Sequence, residues 1–309
     1  MSQTKSSKPS AVQTTGHAWD GDIQEFNNPL PSWWLWAFYA TVVFAVVYWV
    51  FYPAWPIASS YTKGVMNDIT FLDSNGNRKT THWNTRSALL RDLQEGKTAV
   101  LSRDYLDKVA AASYMEILGD PEMMAFTRSM AKGIFGDNCA PCHGSGGAGV
   151  IGLFPNLADD DWLWGGSVED IQATLENGHL GFMPAFGEVF DDAQLDDIAS
   201  YVLSLSGHAV DAAASERGKA IFQTNEGGCY YCHTHEATGL KSQGAANLTD
   251  QIWTIADVNG AADLEGKKER VKQVIANGVQ RRMPAWSDRL SAAQIKLLTV
   301  YVHELGGGQ

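Results

Sequence analysis

Cys139-Ala140-Pro141-Cys142-His143 and Cys229-Tyr230-Tyr231-Cys232-His233 decide the reading of this chain. Each is a Cys-x-x-Cys-His, and together they hold all four cysteines of its 309 residues. Two thiols at this spacing form thioethers with the two vinyl groups of one haem, and the adjoining histidine meets the iron on one face. A bare Cys-x-x-Cys is also the pattern of a redox dithiol or of half a zinc site. The histidine after each second cysteine, and the lack of any spare cysteine, favour haem. The expectation is two covalently bound haem c groups, attached at Cys139, Cys142, Cys229 and Cys232, with His143 and His233 on the iron.

Outward from these motifs the chain repeats itself. Gly133-Ile134-Phe135 precedes the first motif as Ile221-Phe222 precedes the second. Asn156-Leu157 and Trp162 match Asn247-Leu248 and Trp253, and Asn177-Gly178 with Met183-Pro184-Ala185 matches Asn277-Gly278 with Met283-Pro284-Ala285. The offset grows from 90 at the cysteines to 100 at Met-Pro-Ala, so the second copy carries about ten extra residues, mostly around 257–268. A single duplication of this length means two tandem cytochrome c-type domains, 121–210 and 211–309, and not a solenoid. Met183 and Met283 are the candidates for the remaining axial positions, since a thioether sulfur is a soft ligand that favours reduced iron. Two facing repeats can keep their methionines or exchange them, and both arrangements satisfy the pattern. Met123, Met124 and Met130 read as core filling. His179, His208, His235 and His303 have no counterpart in the other repeat and read as surface or supporting residues. Trp162 and Trp253 suit core packing or a bond to a haem propionate. Asn156 and Asn247 suit loop ordering, and the glycines of 144–149 allow close backbone approach.

The fold class expected is mainly α. Ser167 and Asp191 read as helix N-caps, the first followed by the acidic turn Glu169-Asp170. Strand signals are weak throughout. Ahead of the repeats, no charged residue occurs between Phe26 and Thr62, and Trp33 to Tyr52 gives twenty mostly apolar residues with aromatic rings at both ends. Twenty residues at 1.5 Å each cross the ~30 Å hydrocarbon layer, and tryptophans and tyrosines favour its two interfaces. Pro31 and Pro53 suit its start and stop. Some thirty residues, including Asp20, Asp22 and Glu25, precede the run, which is unlike a cleaved signal peptide. The organisation read is an N-terminal segment 1–31, a transmembrane helix 32–55 and a helical connector 56–120 with a turn at Asp73 to Asn77. Haem attachment takes place outside the bacterial cytoplasm, so the haem domains are expected in the periplasm and the N-terminus in the cytoplasm.

The net charge of −12 is unevenly placed. Asp120 to Ser215 holds fifteen acidic residues against Arg128 and Lys132, while the flanking regions are nearly neutral. Such a surface repels nucleic acid. It suits a basic partner, with Asp159 to Asp161 and Asp191, Asp192, Asp196 and Asp197 as the main contributors, or simply a solvated face.

The segment Trp19-Asp20-Gly21-Asp22-Ile23-Gln24-Glu25-Phe26-Asn27-Asn28-Pro29-Leu30-Pro31-Ser32-Trp33-Trp34, then one span and two Cys-x-x-Cys-His domains, resembles the CcoP (FixP) subunits of cbb3-type cytochrome c oxidases. The resemblance covers the whole chain. It implies a single-pass protein of the bacterial cytoplasmic (inner) membrane that takes electrons from a soluble or membrane-attached cytochrome c. It passes them to a CcoO-like monohaem subunit and a CcoN-like haem–copper subunit, where oxygen becomes water and protons are pumped. No catalytic residue is expected in this chain itself. The alternatives are a membrane-anchored dihaem shuttle for another respiratory dehydrogenase or reductase, and a dihaem peroxidase, against which the two Met-Pro-Ala loops speak.

Overall fold

The computed structural model describes residues 13–66 and 68–306 and falls into two compact units, 1–101 and 102–309. Residues 1–12 of the N-terminal segment and the last three of the second repeat lie outside the described residues.

In the first unit, β1 (Thr14–Trp19) and β2 (Ile23–Phe26) form an exposed antiparallel ribbon. Helix α1 (Ser32–Phe51) starts directly after Pro31 and ends before Pro53. Its twenty residues span about 30 Å. None of its side chains is buried, and Trp33 and Trp36 are 70 % and 74 % exposed. An apolar helix with every face bare needs an apolar solvent, so this is a membrane anchor and not a core helix. Two short ribbons follow, β3 (Pro56–Ile57) with β4 (Ser60–Tyr61) and β5 (Ile69–Leu72) with β6 (Arg78–Thr81). Asp73 Oδ1 accepts from the amides of Asn75 and Asn77 and closes the expected turn. Helix α2 (Thr85–Glu95), capped by Asn84, places Gln94 to bond both the amide and the carbonyl of Leu72, each at 2.8 Å.

Helix α3 (Lys97–Ala111) leads into the second unit, where α4 (Tyr114–Gly119) and α5 (Pro121–Asn138) start on the caps Ser113 and Asp120. The first repeat continues with α6 (Ala140–His143), α7 (Val168–Asn177), β7 (His179–Met183) and α8 (Asp192–Leu205). The second has α9 (Ala212–Phe222), α10 (Tyr230–His233), α11 (Leu264–Asn277), β8 (Val279–Met283) and α12 (Ala292–His303). Ser167 and Asp191 cap α7 and α8 as the residues predict, and Asp191 forms a full capping box with Gln194.

The packing crosses between the repeats. Helix α8 lies on α9 and α11 of the second repeat, and α12 lies on α5 and α7 of the first. Ile198, Val202 and Leu203 of α8 share a buried cluster with Ile221, Val271 and Ile275. Ile295, Leu298 and Val302 of α12 share another with Phe135, Cys139, Ile171 and Leu175. Strands β7 and β8, a hundred residues apart, pair antiparallel from His179↔Met283 to Met183↔Val279 at the crossover. Gly178 and Gly278 make that crossing possible. Both sit at positive φ, and a Cβ on Gly178 would come within 2.3 Å of the Met283 carbonyl oxygen, one on Gly278 within 2.5 Å of that of Met183.

Two expectations need correction. Strands are present as four two-stranded ribbons among the described residues. They are two to six residues long, too short for an alternation to stand out in the sequence, and the β7–β8 partner is remote. Met130 is not core filling: it is 37 % exposed, whereas Met123 and Met124 are buried in a cluster with Val109, Ile117, Leu297 and Val300.

Charge fits the crossing. Asp192, Asp196 and Asp197 of α8 pair with Lys272 (2.7 Å), Lys268 (2.9 Å) and Arg217 (2.7 Å), all from the second repeat. Each of these three carboxylates thus already has a cation beside it within the chain, and Asp192 stays exposed next to its lysine. Replacing Lys268 and Lys272 together by glutamate should lower the thermal midpoint by about 2–4 °C, the scale of a few weak surface pairs in a unit of this size. The same change in 0.5 M salt should have a smaller effect. An unchanged midpoint at low salt would show that these pairs do not help to select the crossed partner.

Candidate functional site

Each Cys-x-x-Cys-His is wound into one helical turn. The amides of Cys142 and His143 donate to the Cys139 carbonyl at 3.1 and 2.9 Å, and those of Cys232 and His233 to the Cys229 carbonyl at 3.2 and 2.9 Å. Positions i, i+3 and i+4 share one helix face, so both sulfurs and the imidazole point the same way. His143 Nδ1 lies 3.0 Å from the Pro155 carbonyl and His233 Nδ1 2.9 Å from that of Ala246. A carbonyl there requires the proton on Nδ1 and leaves Nε2 as a free donor pair for a metal. Burial holds both imidazoles below their usual pKa, with the carbonyl bond offsetting only part of it, so both are neutral and fit to ligate. Asn156 and Asn247 order the loops beneath: each side-chain oxygen accepts the amide two residues on, at 2.9 and 3.0 Å.

Met183 is not beside His143. It lines a largely apolar cavity of about 240 Å³ together with Cys229, Cys232, His233, Phe186, Trp253 and Ile275. Its loop is tied down there, the Phe186 amide donating to Ile275 and that of Gly187 to Ala276 of α11. Met283 packs with Trp286 against the cluster that holds Cys139, and the Trp286 amide donates to Leu175 of α7. The Ser287 hydroxyl adds a 2.9 Å bond to the Glu176 carbonyl. So the structure brings Cys229, Cys232 and His233 together with Met183, and Cys139 together with Met283. Both methionines sit on the inward face of the β7–β8 ribbon, at opposite ends, about 14 Å apart at 3.4 Å per residue.

The cavity at the second motif fits a covalently held haem. The cavity wall is apolar, its two cysteines and histidine share one face, and Trp253 Nε1 and Arg281 Nε are buried there without a hydrogen-bond partner. Trp162 Nε1, packed against the first cluster, is likewise unpartnered. Donors left over at matching places in both repeats suit the propionate groups of a haem. The chain suits a dithiol less well. Burial pushes the Cys139 and Cys229 thiols up to about 11, whereas redox dithiols work through a stabilised thiolate. No cluster of three or more histidine, cysteine and carboxylate side chains stands ready for a bare metal ion among the described residues.

Other residues find structural work. His179 stacks on Trp164 at 4.0 Å and 4°, with Thr174 Oγ1 2.8 Å from its Nε2. Asp161 is half-buried, and burial together with Asp250 and Asp159 pushes its carboxyl up to about 7. Arg281 was not singled out by the pattern. Its guanidinium donates to the carbonyls of Gly152 and Leu153 while its side chain walls the cavity.

The chain is similar to known proteins along its length. Residues 11–59 match the family described as the N-terminal domain of cytochrome oxidase-cbb3, FixP. Residues 129–202 and 213–302 match the family described as cytochrome c oxidase, cbb3-type, subunit III. The chain is 46 % identical to the cbb3-type cytochrome c oxidase subunit FixP of Azorhizobium caulinodans, over 96 % of this chain and 94 % of the relative. It is 39 % identical to the subunit CcoP of Azospirillum brasilense, over the full length of both. It is 37 % identical to the subunit CcoP of Cereibacter sphaeroides, over 98 % and 97 %.

Proposed function

The chain belongs to the CcoP/FixP family, subunit III of cbb3-type cytochrome c oxidases, and from that premise we propose that it is a dihaem electron carrier within such an oxidase. As a family member it carries cytochrome c domains with covalently bound haem c, has a membrane anchor and associates with other oxidase subunits. The proposed path runs from a cytochrome c donor, through this chain, to a CcoO-like monohaem subunit and a CcoN-like haem–copper subunit that reduces oxygen and pumps protons.

The observation that carries the reading is the packing of a Met-Pro-Ala loop against each Cys-x-x-Cys-His turn, Met183 in the apolar cavity of Cys229, Cys232 and His233, and Met283 on the cluster that holds Cys139. Bound haem c supplies a one-electron iron couple. His143 Nε2 with Met283 Sδ, and His233 Nε2 with Met183 Sδ, would hold the two irons, and Cys139, Cys142, Cys229 and Cys232 would anchor the groups covalently. Held by a histidine and a methionine each, the irons would carry electrons and would not take up oxygen or peroxide. The Pro155 and Ala246 carbonyls hold the histidines in one tautomer, and the apolar walls keep water out, so little has to rearrange when charge changes. The purified protein should contain two haems per chain, be reduced by a reduced cytochrome c, and bind no carbon monoxide. One haem per chain, or ready binding of the gas by the native protein, would refute this reading.

Helix α1 is proposed to cross the inner membrane with the N-terminus in the cytoplasm and the haem domains in the periplasm. Removing 1–56 behind an exported signal should give a water-soluble protein that keeps both haems and no longer copurifies with the oxidase. Retention in the membrane fraction would point to a second anchor.

A further inference from the structure

Trp164 belongs to the first repeat, yet it walls the cavity that holds Cys229, Cys232, His233 and Met183 of the crossed site. There its indole lies on the backbone of Gly244, where a Cβ would come within 2.2 Å of the ring. Its plane stacks on His179 at 4.0 Å and 4°, and Thr174 Oγ1 of α7 fixes that imidazole, 2.8 Å from Nε2. His179 in turn stands directly opposite Met283 in the β7–β8 ribbon, on the same inward face. Residues so placed have Cβ atoms about 5 Å apart, within reach of each other. The second repeat has no such stack. At the places of Thr174, His179 and Trp164 it carries Val274, Val279 and Ile255, and it is Val279 that stands opposite Met183.

A methionine is a flexible side chain, and an imidazole held by a stack and a hydrogen bond limits the rotamers open to the methionine beside it. The cavity behind the indole matters as well. Empty, it leaves that face of the ring without contact atoms; filled, it packs it. We propose that Thr174, His179 and Trp164 form a one-sided brace that positions Met283 for the iron at His143 and makes that position depend on occupancy of the second site. The inference rests on the dihaem reading with Met283 paired to His143. His179 acts through Met283, so it is a positioning residue, and its signature is the strength of one methionine–iron bond.

The test is a titration of the oxidised, haem-loaded, full-length protein with imidazole, which competes with methionine sulfur for ferric iron. His179→Val and Trp164→Ile install the second repeat's own residues. Each should raise the imidazole affinity of the first haem about tenfold, inside the roughly 5- to 150-fold range of ordinary coupling between sites. Trp164→Phe, which keeps a ring for the stack, should stay near wild type. On top of Met283→Ala, His179→Val should add nothing, whereas on top of Met183→Ala it should act in full. Emptying the second cavity through Cys229→Ala and Cys232→Ala should raise the first haem's affinity too. Emptying the first site through Cys139→Ala and Cys142→Ala should leave the second haem as it was. Should the ring variants fail to mature, these two chains decide alone. An unchanged first haem in His179→Val, an effect undiminished by Met283→Ala, or two haems that depend equally on each other overturns the proposal. A Met283→Ala protein that titrates as wild type would instead sink the Met283 assignment on which it stands.

Discussion

Met183→Ala should open the haem at Cys229 and Cys232, not the haem attached forty residues before it. The Met183 loop is bonded to α11 through Phe186 and Gly187, and the side chain lines the cavity of the second motif. With the sulfur gone, that iron should bind carbon monoxide. Its potential should fall by on the order of a few tenths of a volt, within the roughly 0.8 V that axial ligands span. The test is to place each methionine variant in a chain that retains only the second haem, through Cys139→Ala and Cys142→Ala. There Met183→Ala should convert the remaining haem to a gas-binding form, and Met283→Ala should leave it six-coordinate. The reverse result would mean that each repeat keeps its own methionine.

The second large effect concerns the core. Leu298 of α12 is 0 % exposed and packs with Phe135, Cys139, Ile171 and Leu175 of the first repeat. Truncating a buried leucine to alanine costs about 2–5 kcal/mol, against a total of about 5–15 kcal/mol for a folded domain. Leu298→Ala should therefore unfold at clearly lower denaturant, and the loss should appear first in the methionine ligation of the haem at Cys139 and Cys142, since α12 follows directly on the Met283 loop. Ile198→Ala in α8, buried with Ile221, Val271 and Ile275, is the mirror experiment and should loosen the second site. Parallel loss of both ligations in both variants would show that the two sites melt as one cooperative unit. Damage confined to the haem of the mutated repeat would contradict the crossed packing.

Much of this was legible in the residues. The haem motifs follow from covalent chemistry at fixed spacing, α1 from twenty uncharged residues between two prolines, and the caps Ser167 and Asp191 from the hydrogen bonds that open helix ends require. The turn at Asp73 has the same local cause. Short ribbons such as β1–β2 and β5–β6 were not read, because strands of four to six residues carry too short an alternation to stand out, even in β5 where Ile69 and Phe71 are buried. Arg281 passed unnoticed for a different reason. Only its alignment with Gly181, together with an inward strand position, marks it, and the strand was not foreseen.

By itself the sequence determined which groups this protein presents: four cysteines and two histidines in two Cys-x-x-Cys-His motifs, two Met-Pro-Ala loops, an anchor and a duplicated helical frame. Only the tertiary structure decided which methionine faces which histidine. The two repeats share one pattern, so α8 satisfies the apolar requirement of α7 or of α11 equally well. The choice falls to terms that act between distant segments. Aspartates of α8 meet lysines of α11, whereas α7 has no lysine or arginine and opens on Glu169 and Asp170. Glycines 178 and 278 let two strands a hundred residues apart cross where any side chain would collide. Neither condition shows within a window of one repeat; both become visible once the chain has closed on itself.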